Sequence, residues 1–206
     1  MLKGKTVIIT GTARGIGKAA LEIFAENGAD IYAHARAETP DFLAGLARLS
    51  EEHNVEIRPF CFDLTDNSAV KAKLKEIVAA KRPVDILINN AGMAEESASF
   101  IMTSVEKMKS VFEVNFFAQM ILTQYVVRIM MRQGKGSIIN ISSIAAIDGD
   151  PGQLEYNSSK AALIGATRKL ASELAPSGIR VNAIAPGTIE TDMSGKIRQD
   201  LKEQIL

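Results

Sequence analysis

The sequence predicts an α/β domain in which a parallel sheet is wound on both faces by helices, making three layers. Three observations carry that reading. Short β-branched runs alternate with longer amphipathic ones along the chain, the pattern of successive strand–helix units. No internal repeat, low-complexity tract or Pro/Gly/Ser-rich linker interrupts the alternation. The 206 residues, 47% hydrophobic and 23% charged, suffice for one full core. A single domain is therefore expected over residues 1–206.

The elements follow in order. Residues 6–10, Thr-Val-Ile-Ile-Thr, are β-branched and nearly all apolar, as a strand buried on both faces requires. Residues 15–27 read as a helix with Ile16, Ala19, Ala20, Ile23 and Phe24 on one stripe, and Gly28 as its stop. A strand at 31–35 and a helix at 41–53 come next, then a strand at 56–62. Asp66 or Asn67 caps a helix reaching residue 80. A strand at 84–89 leads to one long helix over 104–133, and a strand at 136–142 to a helix over 155–174. A sixth strand at 179–184 and a helix near 197–205 complete the series. In such a sheet ligands bind beyond the carboxyl ends of the strands, near the point where strand order reverses.

Composition narrows the function. Lys and Arg number 24, as do Asp and Glu, so the formal net charge is zero. A general nucleic-acid binder needs surplus positive charge and is excluded, although a local basic pocket for one phosphate is not. The single cysteine, Cys61, permits no intrachain disulfide and suits a reducing compartment. Residues 1–10 lack the basic-then-apolar pattern of a signal peptide. The most apolar stretch, 116–127, is broken by Gln119, Thr123 and Gln124, so no membrane span is expected. These points predict a cytoplasmic protein. His34 and His53 are too isolated to argue for a metal.

Five motifs fall just after predicted strands. Thr10-Gly11-Thr12-Ala13-Arg14-Gly15-Ile16-Gly17 joins the first strand to the first helix, where glycines let backbone N–H groups approach a pyrophosphate. Alone such a loop is a weak signal. After the second strand, Ala35 stands where an NAD site places an acid, and Arg36 follows. With Arg14, it favours the 2′-phosphate of NADP(H) over NAD(H), because guanidinium binds phosphate in a bidentate way. Asp63-Leu64 follows the third strand; the aspartate serves either an adenine amino group or a turn. Asn89-Asn90-Ala91-Gly92 follows the fourth, either as a turn or as strand cross-links that leave room for a flat cofactor. Ser142-Ser143 ends the fifth, and Tyr156 and Lys160 share a face of the next helix. An ammonium beside a phenol favours the phenolate, and a serine hydroxyl can polarise a carbonyl.

Together, and in this order, these residues resemble the short-chain dehydrogenase/reductase family in its compact, single-domain branch. The match runs from Gly4 to about Met193. The resemblance implies a Rossmann-type fold and hydride transfer between a nicotinamide and a carbonyl. It implies Tyr156 as general acid, Lys160 as the ribose ligand that lowers the Tyr156 pKa, and Ser143 as donor to the substrate oxygen. Ser143 is chosen over Ser142 because the family's serine commonly sits 13 positions before the tyrosine. Asn115 matches the family residue that holds a water in the proton relay. Gly11, Arg14, Gly15, Ile16, Arg36, Asp63, Leu64, Asn90, Ala91 and Gly92 would line the cofactor. Pro186 and Gly187 would meet its nicotinamide end, with Thr191 near the carboxamide.

Within the family the likeness is greatest to bacterial 3-oxoacyl-acyl-carrier-protein reductases, through Gly152-Gln153 before Tyr156, the run from Ala185 to Met193, and Arg14. This implies an acyl thioester substrate, an acyl carrier protein as partner, and a homotetramer or homodimer. A dehydrogenase for a sugar alcohol, steroid or other secondary alcohol is the nearer alternative. A non-catalytic dinucleotide-binding protein is the other, although such relatives usually lose the tyrosine or lysine. Residues 187–206 would be the substrate lid. The family continues to a seventh strand and a tail, on the order of 30 residues more. That strand is expected to be absent from this chain, leaving the outer wall of the substrate pocket incomplete.

Overall fold

The computed structural model describes residues 1–148, 151–187 and 189. Six strands, β1 (Thr6–Thr10), β2 (Asp30–His34), β3 (Ile57–Pro59), β4 (Ile86–Asn89), β5 (Gly136–Ile141) and β6 (Ile179–Ile184), form one sheet in the order β3-β2-β1-β4-β5-β6. Every neighbouring pair is parallel. Helices α1 (Gly15–Glu26), α2 (Pro40–His53), α3 (Asn67–Ala79), α4 (Val105–Phe112), α5 (Ala118–Gln133) and α6 (Leu154–Leu174) alternate with them. The chain winds outward from β1 to β3, then crosses back to β4 on the other side of β1. That reversal opens a crevice where the loops after β1 and β4 diverge.

Two apolar layers sandwich the sheet. In β1, Val7 and Ile9 meet Leu21 and Ala25 of α1 and Leu46 and Leu49 of α2. Ile8 points the other way, onto Leu74 and Ile77 of α3 and Leu122, Val126 and Met130 of α5. Each such side chain, fully buried, stabilises the fold by about 1.5–3 kcal/mol. A polar thread runs through the second layer. Asn89 Nδ2 donates to Thr123 Oγ1 and to Asn140 Oδ1, both at 2.8 Å. Asn140 Nδ2 continues to Thr167 Oγ1 at 2.8 Å, tying β4 and β5 to α5 and α6.

The structure corrects several element boundaries. α2 starts at Pro40 because Thr39 caps it, accepting from Phe42 N, and proline suits the first helical position. α1 buries Gly17, Leu21 and Ala25, one position off the predicted stripe, and leaves Ile23 55% exposed. The β3 ladder stops at Pro59, which has no N–H to donate, on an edge strand. Cys61 lies past it, half-buried. The long fourth helix is two helices: a π turn, Glu113–Phe117, separates α4 from α5 and centres on the fully buried Asn115. Asp66 caps α3, accepting from Ser68 N and Ala69 N. Thr191, the helix expected near 197–205 and most of the expected lid lie outside the described residues.

The Asn89 thread yields a stability prediction. Asn89→Ala should cost about 2 kcal/mol, because Thr123 and Asn140 lose a buried partner. Urea unfolding midpoints at constant slope measure it, and a loss under ~0.5 kcal/mol would contradict the role assigned to the thread.

Candidate active site

A cavity of about 990 Å³ opens over the carboxyl ends of the strands. Its floor is the join between β1 and β4. Thr10 Oγ1 donates to Ile88 O at 3.2 Å and accepts from Asn90 N and Ala91 N, both at 2.9 Å. Asn90 Nδ2 returns to Thr10 O at 2.8 Å and Gly11 O at 3.2 Å. The second asparagine is therefore a cross-link between strand ends, one of the two roles its sequence left open. Gly11 holds a φ of +73°, and a Cβ there would stand 2.9 Å from Ala91 Cα. At Gly17 a Cβ would collide with the Gly11 carbonyl, so the loop closes on α1 only with glycine there.

His34 joins three strand ends at one rim. Its Nδ1 accepts from Gly11 N at 3.3 Å, and its Nε2 bonds Phe62 O at 3.0 Å. The pair of contacts implies the neutral ring with its proton on Nε2. Burial lowers its pKa to about 4, against a smaller opposing pull from Phe62 O. Arg14 and Arg36 both line this end of the cavity and both are exposed. Asp63 Oδ1 accepts from Thr65 N at 2.9 Å and Thr65 Oγ1 at 2.7 Å, so that oxygen serves the turn. Those bonds, helped by the Arg36 charge, hold the carboxyl below its usual range.

At the other end stand Ser143, Tyr156 and Lys160. Ser142 Oγ donates to Lys160 O at 2.8 Å, committing that hydroxyl to α6. Ser143 Oγ accepts from Ala145 N at 3.2 Å and lies close enough to Tyr156 to act on its phenol. Lys160 Nζ donates to Ile141 O at 2.8 Å and lies 5.8 Å from the Tyr156 ring centroid. Burial pushes the Tyr156 phenol up, with the Ser143 hydrogen bond pulling it back. Burial likewise lowers Lys160 to about 8. Burial is the larger influence on the phenol, and the pull against it comes from Ser143.

Gly11, Arg14, Gly15, Ile16, Arg36, Asp63, Leu64, Asn90, Ala91, Gly92, Ser143, Tyr156, Lys160, Pro186 and Gly187 all border this one cavity. Asn115 does not. Its Oδ1 accepts from Met93 N at 2.8 Å, and its Nδ2 donates to Met93 O at 2.9 Å and Ser159 Oγ at 3.0 Å. A side chain so engaged braces the segment at Met93 against α6. Sequence reading assigned no role at the site to two further side chains, Ser159 and Gln119. Ser159 Oγ donates to Tyr156 O at 2.7 Å, and Gln119 Nε2 donates to Ala91 O. The available signal for Gln119 was a polar residue in an apolar helical run. Among the described residues, no three His, Cys, Asp or Glu side chains group as metal ligands, and no helix is long and apolar enough to cross a membrane.

A glycine cradle over a strand-order reversal, with a Ser–Tyr–Lys cluster at its far end, defines a nicotinamide-dependent oxidoreductase. The chain belongs to the short-chain dehydrogenase family, whose model matches residues 5–202. It is similar to the 3-oxoacyl-[acyl-carrier-protein] reductase FabG of Thermotoga maritima, 38% identical over 205 residues, covering 100% of this chain and 82% of that one. Among solved structures, carveol dehydrogenase from Mycobacterium avium in complex with NAD superposes with a TM-score of 0.87 at 28% identity, over 93% of this chain and 73% of that one. A protein assigned as an NAD(P)-dependent gluconate 5-dehydrogenase from Beutenbergia cavernae, with NADP at low occupancy, gives 0.86 at 32%, over 94% and 76%. The chain is accordingly an NAD(P)-dependent oxidoreductase acting on CH–OH groups.

The buried His34 makes stability depend on acid. The unfolded chain protonates this ring near pH 6.5, the folded one only near 4. Its contribution is complete above 6.5 and is lost as pH falls through that window. The loss should reach about 3 kcal/mol. Comparing urea midpoints between pH 7 and 4.5 for the wild type and His34→Gln isolates it. Equal slopes in the two proteins would contradict the assignment.

Proposed function

We propose that the chain reduces the ketone of a 3-oxoacyl thioester with NADPH, Tyr156 delivering the proton. The observation that carries this reading is the placement of Ser143, Tyr156 and Lys160 on one wall of a cavity whose far rim holds Arg14 and Arg36. The cavity fits a dinucleotide. A Cβ at Gly92 would stand 3.2 Å from Asn115 Oδ1 and 3.4 Å from Lys160 Nζ, a tight contact that glycine avoids. Gly11, Gly15, Ile16, Asp63, Leu64, Asn90 and Ala91 would hold the adenine half, and Pro186 and Gly187 the nicotinamide half. Arg14 and Arg36 would pair with a 2′-phosphate, favouring NADP(H), since no acid faces them from Ala35.

When bound, the reduced nicotinamide supplies hydride to the carbonyl carbon. The chain does the rest. The Ser143 hydroxyl donates to the substrate oxygen, stabilising the charge that develops there. Tyr156 gives that oxygen its proton, and its raised pKa keeps the phenol protonated at neutral pH. Lys160, anchored on Ile141 O, holds its ammonium beside Tyr156 and would bind a ribose hydroxyl of the cofactor. Asn115 and Ser159 keep α6 in register with the cavity floor.

The 3-oxoacyl substrate is supported by likeness to reductases of that name, 34–38% identical over the whole of this chain and 82% of each relative. An acyl carrier protein would then present the substrate. A cytoplasmic setting, and a homotetramer or homodimer through α5 and α6, accord with this reading, and Phe117 and Met131, each about half exposed on that side of the chain, support self-association. The fold-level likeness to carveol and gluconate dehydrogenases keeps a secondary-alcohol substrate as the second reading.

Two experiments test the proposal. Tyr156→Phe should cut NADPH oxidation with acetoacetyl thioesters by roughly a hundred- to ten-thousand-fold while NADPH still binds. No turnover by the wild type across acyl, sugar, steroid and quinone carbonyls would refute it. Arg14→Ala/Arg36→Ala should raise the NADPH KM about tenfold or more and leave the NADH KM within about twofold. An equal rise for both cofactors would remove the 2′-phosphate assignment.

A further inference from the structure

The loop over residues 95–99 has no place in the chemistry above, yet two contacts bind it to the segment leading into Tyr156 and a third binds it to α4. Gln153 Nε2 donates to Glu95 O at 3.1 Å. Gly152, at φ +88°, packs so closely that a Cβ would collide with Ser97 Oγ. Lys107, in the first turn of α4, donates from Nζ to Glu96 O at 2.7 Å. The same Nζ lies 3.3 Å from Glu155 Oε1. Glu155 immediately precedes Tyr156 in the first turn of α6 and is 1% exposed. Among the described residues neither of its carboxylate oxygens accepts a hydrogen bond, so the Lys107 ammonium is what compensates its charge.

We propose that Lys107 and Glu155 form an internal latch that positions Tyr156 for catalysis, by clamping α4 and the loop over residues 95–99 to the first turn of α6. Both are positioning residues, and the assignment rests on the reductase reading above. Burying a carboxylate costs more than one ion pair commonly returns, and an apolar pair of similar volume would hold the fold as well. What the charge pair adds is a fixed geometry, because the ammonium must satisfy Glu96 O and Glu155 together. The backbone beside it needs holding. Gln153 sits at φ +52°, a left-handed conformation that non-glycine residues seldom adopt, directly after Gly152. Ser97, Gly152, Gln153 and Tyr156 all line the cavity, so the latched segments form one wall of the site.

The test uses the full chain and two independent readings. Lys107→Met alone strands a buried carboxylate and risks misfolding, so the informative variant is Lys107→Met/Glu155→Gln, which removes both charges. Backbone hydrogen exchange over residues 95–99 and 153–157 should quicken at least tenfold in it, with β1 and β4 unchanged. Its kcat should fall at least tenfold while the NADPH KM stays within twofold. Lys107→Arg, which keeps the charge, should restore both to within about twofold of wild type. Wild-type exchange in the double variant would overturn the latch. So would faster exchange with unchanged kcat, since the pair would then hold the loop without positioning Tyr156. Quickened exchange throughout the sheet would reduce it to a general stabilising contact and overturn it as well. A wild type without turnover would sink the reductase reading, and the latch would then stand or fall on the local exchange result.

Discussion

The site hangs from the place where β1 and β4 part. A parallel sheet that reverses its strand order must leave a gap at that point, and the gap is useful only if its two edges stay in register. Thr10 and Asn90 keep them so, with one hydroxyl and one amide bridging the strand ends through backbone groups on both sides. Everything at the mouth takes its position from that join. The glycine loop leaves from one edge, Ala91 and Gly92 from the other, and His34 pins the next strand end to the first. The neighbouring asparagine, Asn89, extends the same logic inward to β5 and two helices.

Burial sets the electrostatics of this mouth more than pairing does. His34, Tyr156 and Lys160 are all shifted toward their neutral forms chiefly by desolvation. For His34 the neutral ring is structural, since only then can it accept from Gly11 while donating to Phe62. For Tyr156 the neutral phenol is the form that the proposed reaction requires, with a proton to give. The same loss of solvent therefore serves a hinge of the cradle at one end and the proposed proton donor at the other.

Much of this was legible in the sequence, and the reasons differ by element. The strands could be read because burial on both faces leaves β-branched apolar runs such as residues 6–10, a signal that needs no partner. The loop glycines could be read because close approach permits no alternative residue. Ser143, Tyr156 and Lys160 were legible through the family resemblance, as a spacing read together with the other motifs. Their electrostatic balance was not, because desolvation depends on what packs around them. The break in the fourth helix was hidden for a similar reason. Residues 104–133 read as one helix throughout, and the side chain at the centre of the break, Asn115, is engaged by the Met93 backbone, distant in sequence. Nor could Glu155 announce its burial: a glutamate in the first turn of a helix normally faces water beside the positive end of the dipole.

The π turn also has a bearing on how the chain tolerates change in length. It accommodates one residue more than a regular helix spanning the same points, so it acts as a phase offset between α4 and α5. Each α-helical residue turns the axis by about 100°. Excising one residue from the turn would restore a straight, well-bonded helix, and by local criteria improve it. It would also rotate the faces of α4 and α5 against each other, so that Val111 and the Leu122–Val126–Met130 row, all buried here, could not both meet the core. The irregularity is therefore the feature that lets one continuous run of helix satisfy two differently oriented surfaces, and a single-residue deletion there is a larger event than most substitutions in the core.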